Sequence, residues 1–399
     1  MSAPKVLFMC DFPPCNYLGG PVLISRLFMG YDYDSLTVLT SSYTLKLYPH
    51  DGRLSCKHIG FPQFHAVGRF GKGRIRNLWN FLLLLLLPVF SVWIIKRMST
   101  QVIVTIAHGY FFLIAAFVSR VTSLPLVLMV HDDWVSGLHN RRALLSHFSS
   151  KLFSAVLRQA SQVYSVSPYM QEYLKLEYDI DSDLQMPAIE YVATEDNIQE
   201  DDLELGWQCI RILYAGAGVG SDSLDCLIRL MESERLRALG IPRWELHLYT
   251  PSPPMVIEQR GDGERINFHG WVPQHIVRAA MQAADILFLP FPFEEKSKYV
   301  TLSSFPTKTS DYLISGKPIL ICAPEYSSIV RYARNYSFAE IVNELDEEKL
   351  AQAIYRIWKV KEHRNKLVSN AFSTFRANHN IIKQRADFID LLNRLVPVN

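Results

Sequence analysis

The chain has 399 residues, too many for one ordinary hydrophobic core and enough for two. Its composition, 49% apolar and 20% charged, excludes a disordered or fibrous protein. Net charge is only +2, but residues 1–160 hold 16 Lys and Arg against 6 Asp and no Glu, while the remainder hold 25 against 33 acids. That polarity points the first half toward something anionic. No base-reading motif or Lys/Arg-rich recognition helix accompanies it, which sets nucleic acid aside. The six Cys (10, 15, 56, 209, 226, 322) lack the second pair or His pair of a zinc site and read as buried thiols in a reducing compartment. The opening MSAPKVLFMCDF runs straight into a strand pattern rather than a leader peptide.

In chain order, strands are expected at 5–11, 36–41, 56–61, 102–106, 126–131 and 162–167, with segments of helix length between them. Runs such as VIVTI and LVLMV lack polar alternation, as strands buried on both faces of a parallel sheet do. They predict a doubly wound α/β domain over 1–190. Its first strand leads into DFPPCNYLGGPVL, where Gly19 and Gly20 let the backbone approach an anionic ligand at a helix start. The fourth ends at His108-Gly109 and the fifth at His131-Asp132-Asp133, so polar groups converge at strand ends.

Between the third and fourth strands lies LWNFLLLLLLPVFSVWII (78–95), with Arg69, Lys72, Arg74 and Arg76 before it and Lys96 and Arg97 after it. Its length reaches the lower limit for a membrane span, but Asn80, Pro88 and Ser91 interrupt it. A wholly buried core helix is the plain alternative. A helix lying partly in the lipid interface fits best, so 69–97 is read as a contact for an anionic membrane surface.

The acidic, aperiodic stretch 191–208 reads as a linker. Alternation restarts with strands at 210–216, 244–250, 265–271, 285–291 and 318–323, which predicts a second α/β domain over 209–375. The last segment, 376–399, is expected to be a helix that packs back on the first domain. Two such domains would leave a central cleft faced by strand carboxyl ends, where ligands bind in open α/β folds. One stretch in the second domain carries chemistry: SSFPTKTSDYLISGKPIL (303–320). Pro306 stiffens the approach, Thr307 or Ser310 is placed to cap a helix, and Gly316 is placed to end it. Lys308 and nearby backbone N–H groups form a plausible pyrophosphate cradle, and Asp311 stands where a carboxylate can accept from ribose hydroxyls.

The pattern HGWV…AADILFLPF…FPTKTSDYLISGKPIL resembles the C-terminal domain of retaining GT-B glycosyltransferases of the glycogen-synthase-like family 4 group. The resemblance implies two Rossmann-like domains and a nucleotide sugar, UDP- or GDP-linked, as co-substrate, with no other cofactor. It implies donor-phosphate contacts at Gly19, Gly20 and Gly216, and donor contacts at Ser303, Thr307, Lys308 and Asp311. His131, paired with Asp132, resembles the catalytic-site His that meets the transferred sugar, and His108 falls on the acceptor side. Three positions depart from the group's pattern. Ser303 stands at its first acid, and Ala217 and Asp222 stand where Arg and Lys would meet the donor diphosphate. No metal is expected: Asp32-Tyr33-Asp34 and Asp181-Ser182-Asp183 have the letters of a metal motif in the wrong context. The expectation is a retaining, metal-independent transferase acting on a glycan or lipid-linked acceptor in polysaccharide assembly. Its expected place is the cytoplasm, peripheral to the inner face of the cytoplasmic membrane. The alternatives are an inactive GT-B subunit that binds a sugar nucleotide or a partner, and a sugar-nucleotide 2-epimerase.

Overall fold

The computed structural model describes residues 3–16, 19–48, 53–62, 74–140, 146–191, 209–216, 221–254 and 265–396, with backbone alone at 74–84, 140, 146 and 221. The chain divides into two compact units, 1–186 with 381–399, and 187–380.

The first unit is built on a seven-stranded sheet of order β3-β2-β1-β4-β5-β6-β7, parallel throughout. Its strands are β1 Val6–Met9, β2 Leu36–Ser41, β3 Lys57–Phe61, β4 Val102–Ile106, β5 Leu126–Val130, β6 Gln162–Ser165 and β7 Asp183–Leu184. Every residue of β1, β2, β4 and β5 is buried, as expected of parallel strands with helices covering both faces. The strands before β7 lie where the sequence places them; β7, two exposed residues, has no apolar run to announce it. Helices α1 (Gly19–Phe28), α2 (Ser42–Leu47), α3 (Arg74–Met98) and α4 (Phe111–Thr122) make the first four connections together with loops. Ser41 caps α2 by accepting from the Tyr43 amide.

The C-terminal helix Ile381–Leu395 belongs to this unit and packs on α1. Phe388, Leu391 and Leu392 are buried. The Phe388 ring meets Phe28 edge-on at 5.4 Å, and Arg385 Nε donates to the Arg26 carbonyl at 2.7 Å. The crossing falls at 380/381 rather than near 375, because the preceding helix runs from Lys361 to Asn378 without a break.

The second unit holds a six-stranded sheet of order β10-β9-β8-β11-β12-β13, again parallel throughout. Its strands are β8 Ile210–Ala215, β9 Trp244–Tyr249, β10 Ile266–Phe268, β11 Ile286–Pro290, β12 Ile319–Cys322 and β13 Ala339–Val342. Helix Glu347–Lys359 lays Leu350, Ile354 and Ile357 onto this core, capped by Asp346, which accepts from the Glu348 and Lys349 amides. Both chain segments at the unit's limits are pinned by His379. Its Nδ1 lies 2.6 Å from the Pro187 carbonyl, and its Nε2 lies 3.0 Å from the Tyr332 hydroxyl. Burial holds the imidazole down to about 4, so it is neutral under ordinary conditions and can bridge a carbonyl and a hydroxyl. Most of the expected linker, 192–208, lies outside the described residues.

Phe388→Ala removes the largest buried side chain of the C-terminal helix. It should lower the stability of the first unit by roughly 3–5 kcal/mol, read as an earlier first transition in urea unfolding of the full chain. A transition at the wild-type midpoint would mean that the helix adds nothing to that unit.

Candidate functional site

Because each sheet is parallel, the carboxyl ends of its strands share one edge. In the first unit, β1, β4 and β5 are neighbours, and the loops after them bring their polar residues together. Asp11 follows β1 and is buried; its Oδ1 lies 2.8 Å from Nδ1 of His108, which follows β4 and is half exposed. The Phe12 ring meets His108 edge-on at 5.3 Å. Gly109 has φ +56°, and a Cβ there would fall 2.7 Å from Asp11 Oδ2, so glycine is required both by conformation and by space. The Trp134 indole N–H donates to the Gly109 carbonyl at 2.8 Å and fixes the loop after β4 against the loop after β5.

His131 stands at the end of β5. Gly20, at the start of α1, lies against it: a Cβ on Gly20 would sit 3.6 Å from His131 Nδ1 and 3.8 Å from Phe12 Cζ. The missing side chain leaves the imidazole room on that side. Burial lowers His131 to about 4 and nearby His108 adds to the effect, while Asp132 opposes it. The ring is therefore a neutral hydrogen-bonding group at neutral pH. Asp132 is exposed beside it. Asp133 is buried and accepts from the Ser136 amide at 3.0 Å, which makes it the cap of helix Trp134–Asn140. The structure thus gathers Gly20, His108, His131 and Asp132, with Gly19 next in the chain. The sequence reading passed over Asp11. The signal for it was a carboxylate directly after a fully apolar strand, in the same place as the histidines after β4 and β5.

In the second unit, Gly216 follows β8 and lies under Lys308. A Cβ on Gly216 would collide with the Lys308 ammonium and with its Cε, at 2.8 Å. Lys308 Nζ stands 4.1 Å from the centre of the Tyr214 ring. The ring face favours the ammonium and burial opposes it; burial prevails and lowers the amine to about 7. Tyr312 pins the helix Thr309–Leu313 to the sheet, since its hydroxyl accepts from the Ala215 amide at 3.1 Å and reaches the Phe288 carbonyl at 3.3 Å. One tyrosine therefore sets the height of Lys308 above the end of β8.

Other expectations for this loop need correction. Neither Thr307 nor Ser310 caps the helix. Lys308 occupies the cap position without a side-chain bond, and the Ser310 hydroxyl, already inside the first turn, donates back to the Thr307 carbonyl at 3.3 Å. Thr307 itself is half-buried beside Lys308. Ser303 closes the helix Lys298–Ser303, is 3% exposed and bonds the Tyr299 carbonyl at 3.4 Å, so its hydroxyl turns back on its own helix. Asp311 is mostly buried, with Oδ1 3.8 Å from Arg278 Nη2. Asp222 is a structural acid: it accepts from the Ser223 amide at 2.9 Å and from the Phe293 amide at 2.8 Å, and so holds the turn after β11. Ala217 lies outside the described residues. Asp32 accepts from Ser35 just before β2, at the sheet edge opposite the histidines. Among the described residues no three His, Cys, Asp or Glu side chains stand together as a metal site.

Residues 35–185 match the family model of Glycosyltransferase Family 4, and residues 210–359 match that of Glycosyl transferases group 1. No curated protein matches the sequence. Among solved structures, the chain is similar to sucrose-phosphate synthase from Thermosynechococcus elongatus (TM-score 0.70, 16% identity, covering 98% of this chain and 99% of that one). It is also similar to HepE from Anabaena, solved with UDP and glucose (TM-score 0.64, 13% identity, 98% and 99%). A third is WaaG, a glycosyltransferase involved in lipopolysaccharide biosynthesis (TM-score 0.60, 14% identity, 97% and 99%). With two Rossmann-like units in the expected order and a family match on each, the chain belongs to the GT-B glycosyltransferases of the family 4 and group 1 type.

Proposed function

We propose that the protein is a retaining, metal-independent glycosyltransferase that moves a sugar from a UDP- or GDP-linked donor to a glycan or lipid-linked acceptor. Its place would be the cytoplasmic face of the membrane, in assembly of a polysaccharide or glycoconjugate. The observation that carries the reading is the pairing of Lys308 with Gly216: a desolvated amine over bare backbone at the carboxyl edge of the second sheet. A diphosphate brought there meets a cation that water screens poorly. HepE, similar in fold, is solved with UDP-glucose, a donor of the proposed class.

In the reaction the bond from the anomeric carbon to the diphosphate oxygen breaks, and a bond from that carbon to the acceptor oxygen forms on the same face. The acceptor proton passes to the leaving diphosphate. Lys308 stabilises the charge that grows on this group, and the fixed dipoles of the loop add to it without reorganisation. Neutral His131 hydrogen-bonds the transferred sugar in the space left by Gly20 and orients it, with Asp132 beside it. His108, fixed by Asp11, is directed to the acceptor. Gly19, Thr307 and Asp311 complete the donor contacts, Asp311 after exchanging Arg278 for ribose hydroxyls. A second reading, donor binding without turnover, rests on Asp222 and Ser303, whose side chains serve the fold where the family pattern has donor ligands.

A panel of nucleotide sugars with free UDP and GDP should give one donor that raises the thermal midpoint; a site 99% filled stabilises by about 2.7 kcal/mol. If no member of the panel shifts it, donor binding fails. His131→Ala should leave the fold intact and slow transfer by about tenfold or more, near 1.4 kcal/mol of transition-state stabilisation; an unchanged rate takes His131 out of the site. Lys308 is about 7 in the free protein, and a bound diphosphate restores its ammonium. Donor binding should therefore take up about one proton at alkaline pH, and affinity should fall about tenfold per unit as pH rises above that value. Calorimetry in buffers of different ionisation enthalpy reads the uptake, and Lys308→Met should abolish it.

A further inference from the structure

The helix α3 turns one stripe inward and another outward. Leu87, Ser91, Ile94 and Ile95 are buried, and the Ser91 hydroxyl is satisfied by the Leu87 carbonyl at 2.7 Å. The opposite stripe is as apolar as the buried one: Leu85, Leu86, Val89 and Trp93 are 51–70% exposed. Helix α4 packs beside α3 and repeats the pattern, with Phe117 56% and Val121 60% exposed. Large apolar side chains left exposed on two adjacent helices are surface that a membrane or a partner would take out of water.

The charge around this face selects its occupant. From Gly52 to His131 the chain has nine Lys and Arg and no Asp or Glu. Lys96, Arg97 and Arg120 stand at the carboxyl-terminal ends of α3 and α4. Both helices cross back to parallel strands, so these ends lie at the same side of the sheet. Along the outer stripe of α3 the order is aliphatic (Leu85, Leu86, Val89), then Trp93, then Lys96 and Arg97. Phe90 stacks on Trp93 at 5.8 Å, and the Arg97 guanidinium stands 5.3 Å over its ring. Aliphatic side chains, an indole and flanking cations are what an interfacial helix presents to acyl chains, to the boundary and to anionic headgroups. A protein partner would need acids of its own to match cations of one sign. Among the described residues no helix is long and apolar enough to cross a membrane, so the face would lie on the bilayer.

We infer that the outer faces of α3 and α4 together form a docking surface for an anionic lipid bilayer. The inference deepens the membrane-side placement proposed above and involves no step of catalysis. The test is co-sedimentation of the full chain with phosphatidylcholine vesicles, with and without phosphatidylglycerol. Wild type should pellet with the anionic vesicles, less as salt rises, and remain in solution with the neutral ones. Val89→Glu with Phe117→Glu, both at exposed positions, should keep the circular dichroism of wild type and lower the partition constant about tenfold or more. Arg97→Glu with Arg120→Glu leaves the apolar face whole and should weaken binding about fivefold or more per cation reversed.

The inference is overturned if wild type does not pellet, or if both variant pairs pellet as wild type does. It is also overturned if lipid-free wild type is a dimer that Val89→Glu with Phe117→Glu dissolves, since a second copy then covers the face. Vesicle binding without any donor-induced thermal shift would uphold the docking face while counting against glycosyl transfer, and the reverse result would do the opposite.

Discussion

A parallel sheet sends the carboxyl end of every strand to one edge, and the return helices must cover both of its faces. This constraint operates in both units. It requires strands that are buried on both sides, which β1, β2, β4 and β5 are at every residue. It also concentrates polar side chains and free backbone groups at one rim. Neighbouring strands β1, β4 and β5 can therefore deliver Asp11, His108 and His131 to one edge although Asp11 is distant from both histidines in the chain. The same geometry sets Gly216, after β8, under the loop that carries Lys308. In both units a glycine lies against a titratable side chain, Gly20 at His131 and Gly216 at Lys308. Each gives space that any larger residue would fill.

The elements legible in the sequence were those in which one force dominates. VIVTI and LVLMV can only be buried strands, and Ile354 and Ile357 mark a core-facing helix. Strand β13 was not legible, because AEIV carries a carboxylate into the sheet. Glu340 is buried there only through partners distant in the chain, His363 Nε2 at 2.7 Å and Arg356 Nη1 at 3.0 Å. The short helix over 309–313 was expected with a hydroxyl cap and has none. Its position is set by the Tyr312 hydroxyl on Ala215 and Phe288, contacts that no local pattern announces. Site residues followed the same rule. His131 and Lys308 stand out as polar groups at strand and helix boundaries. Asp11 gains its meaning only when β4 is placed beside β1.

Asp222 shows how one polar residue can be read by charge or by bonding. As a charge near a diphosphate it is unfavourable, since two like charges repel strongly where water is scarce. As an acceptor it holds two amides, Ser223 and Phe293, and so ties the start of a helix to the turn after β11. A hydrogen bond to a charged group contributes roughly 1.5–3 kcal/mol, enough to retain the acid for the fold alone. Under the proposed function the electrostatic burden would then fall on Lys308. An amine lowered to about 7 suits that role, because the approach of a diphosphate would convert it to the ammonium as the charge is needed. Binding and protonation would become one event.

The two faces of the first sheet have separate tasks. On one, α1 is covered by the C-terminal helix, whose Phe388 packs on Phe28 and whose Arg385 bonds the Arg26 carbonyl. Chain that has already built the second unit returns to finish the first, so that face is closed by the protein itself. The other face is covered by α3 and α4, and nothing among the described residues lies over their outer stripes. Apolar side chains left in that position cost solubility unless something takes them out of water. Lys96, Arg97 and Arg120, at the carboxyl-terminal ends of these helices, favour an anionic occupant. A bilayer held there would leave the rim with His131 untouched, because α3 and α4 lie on a face of the sheet and the rim lies at its end. Under the proposed function, an acceptor anchored in lipid and a donor arriving from water would not compete for the same surface.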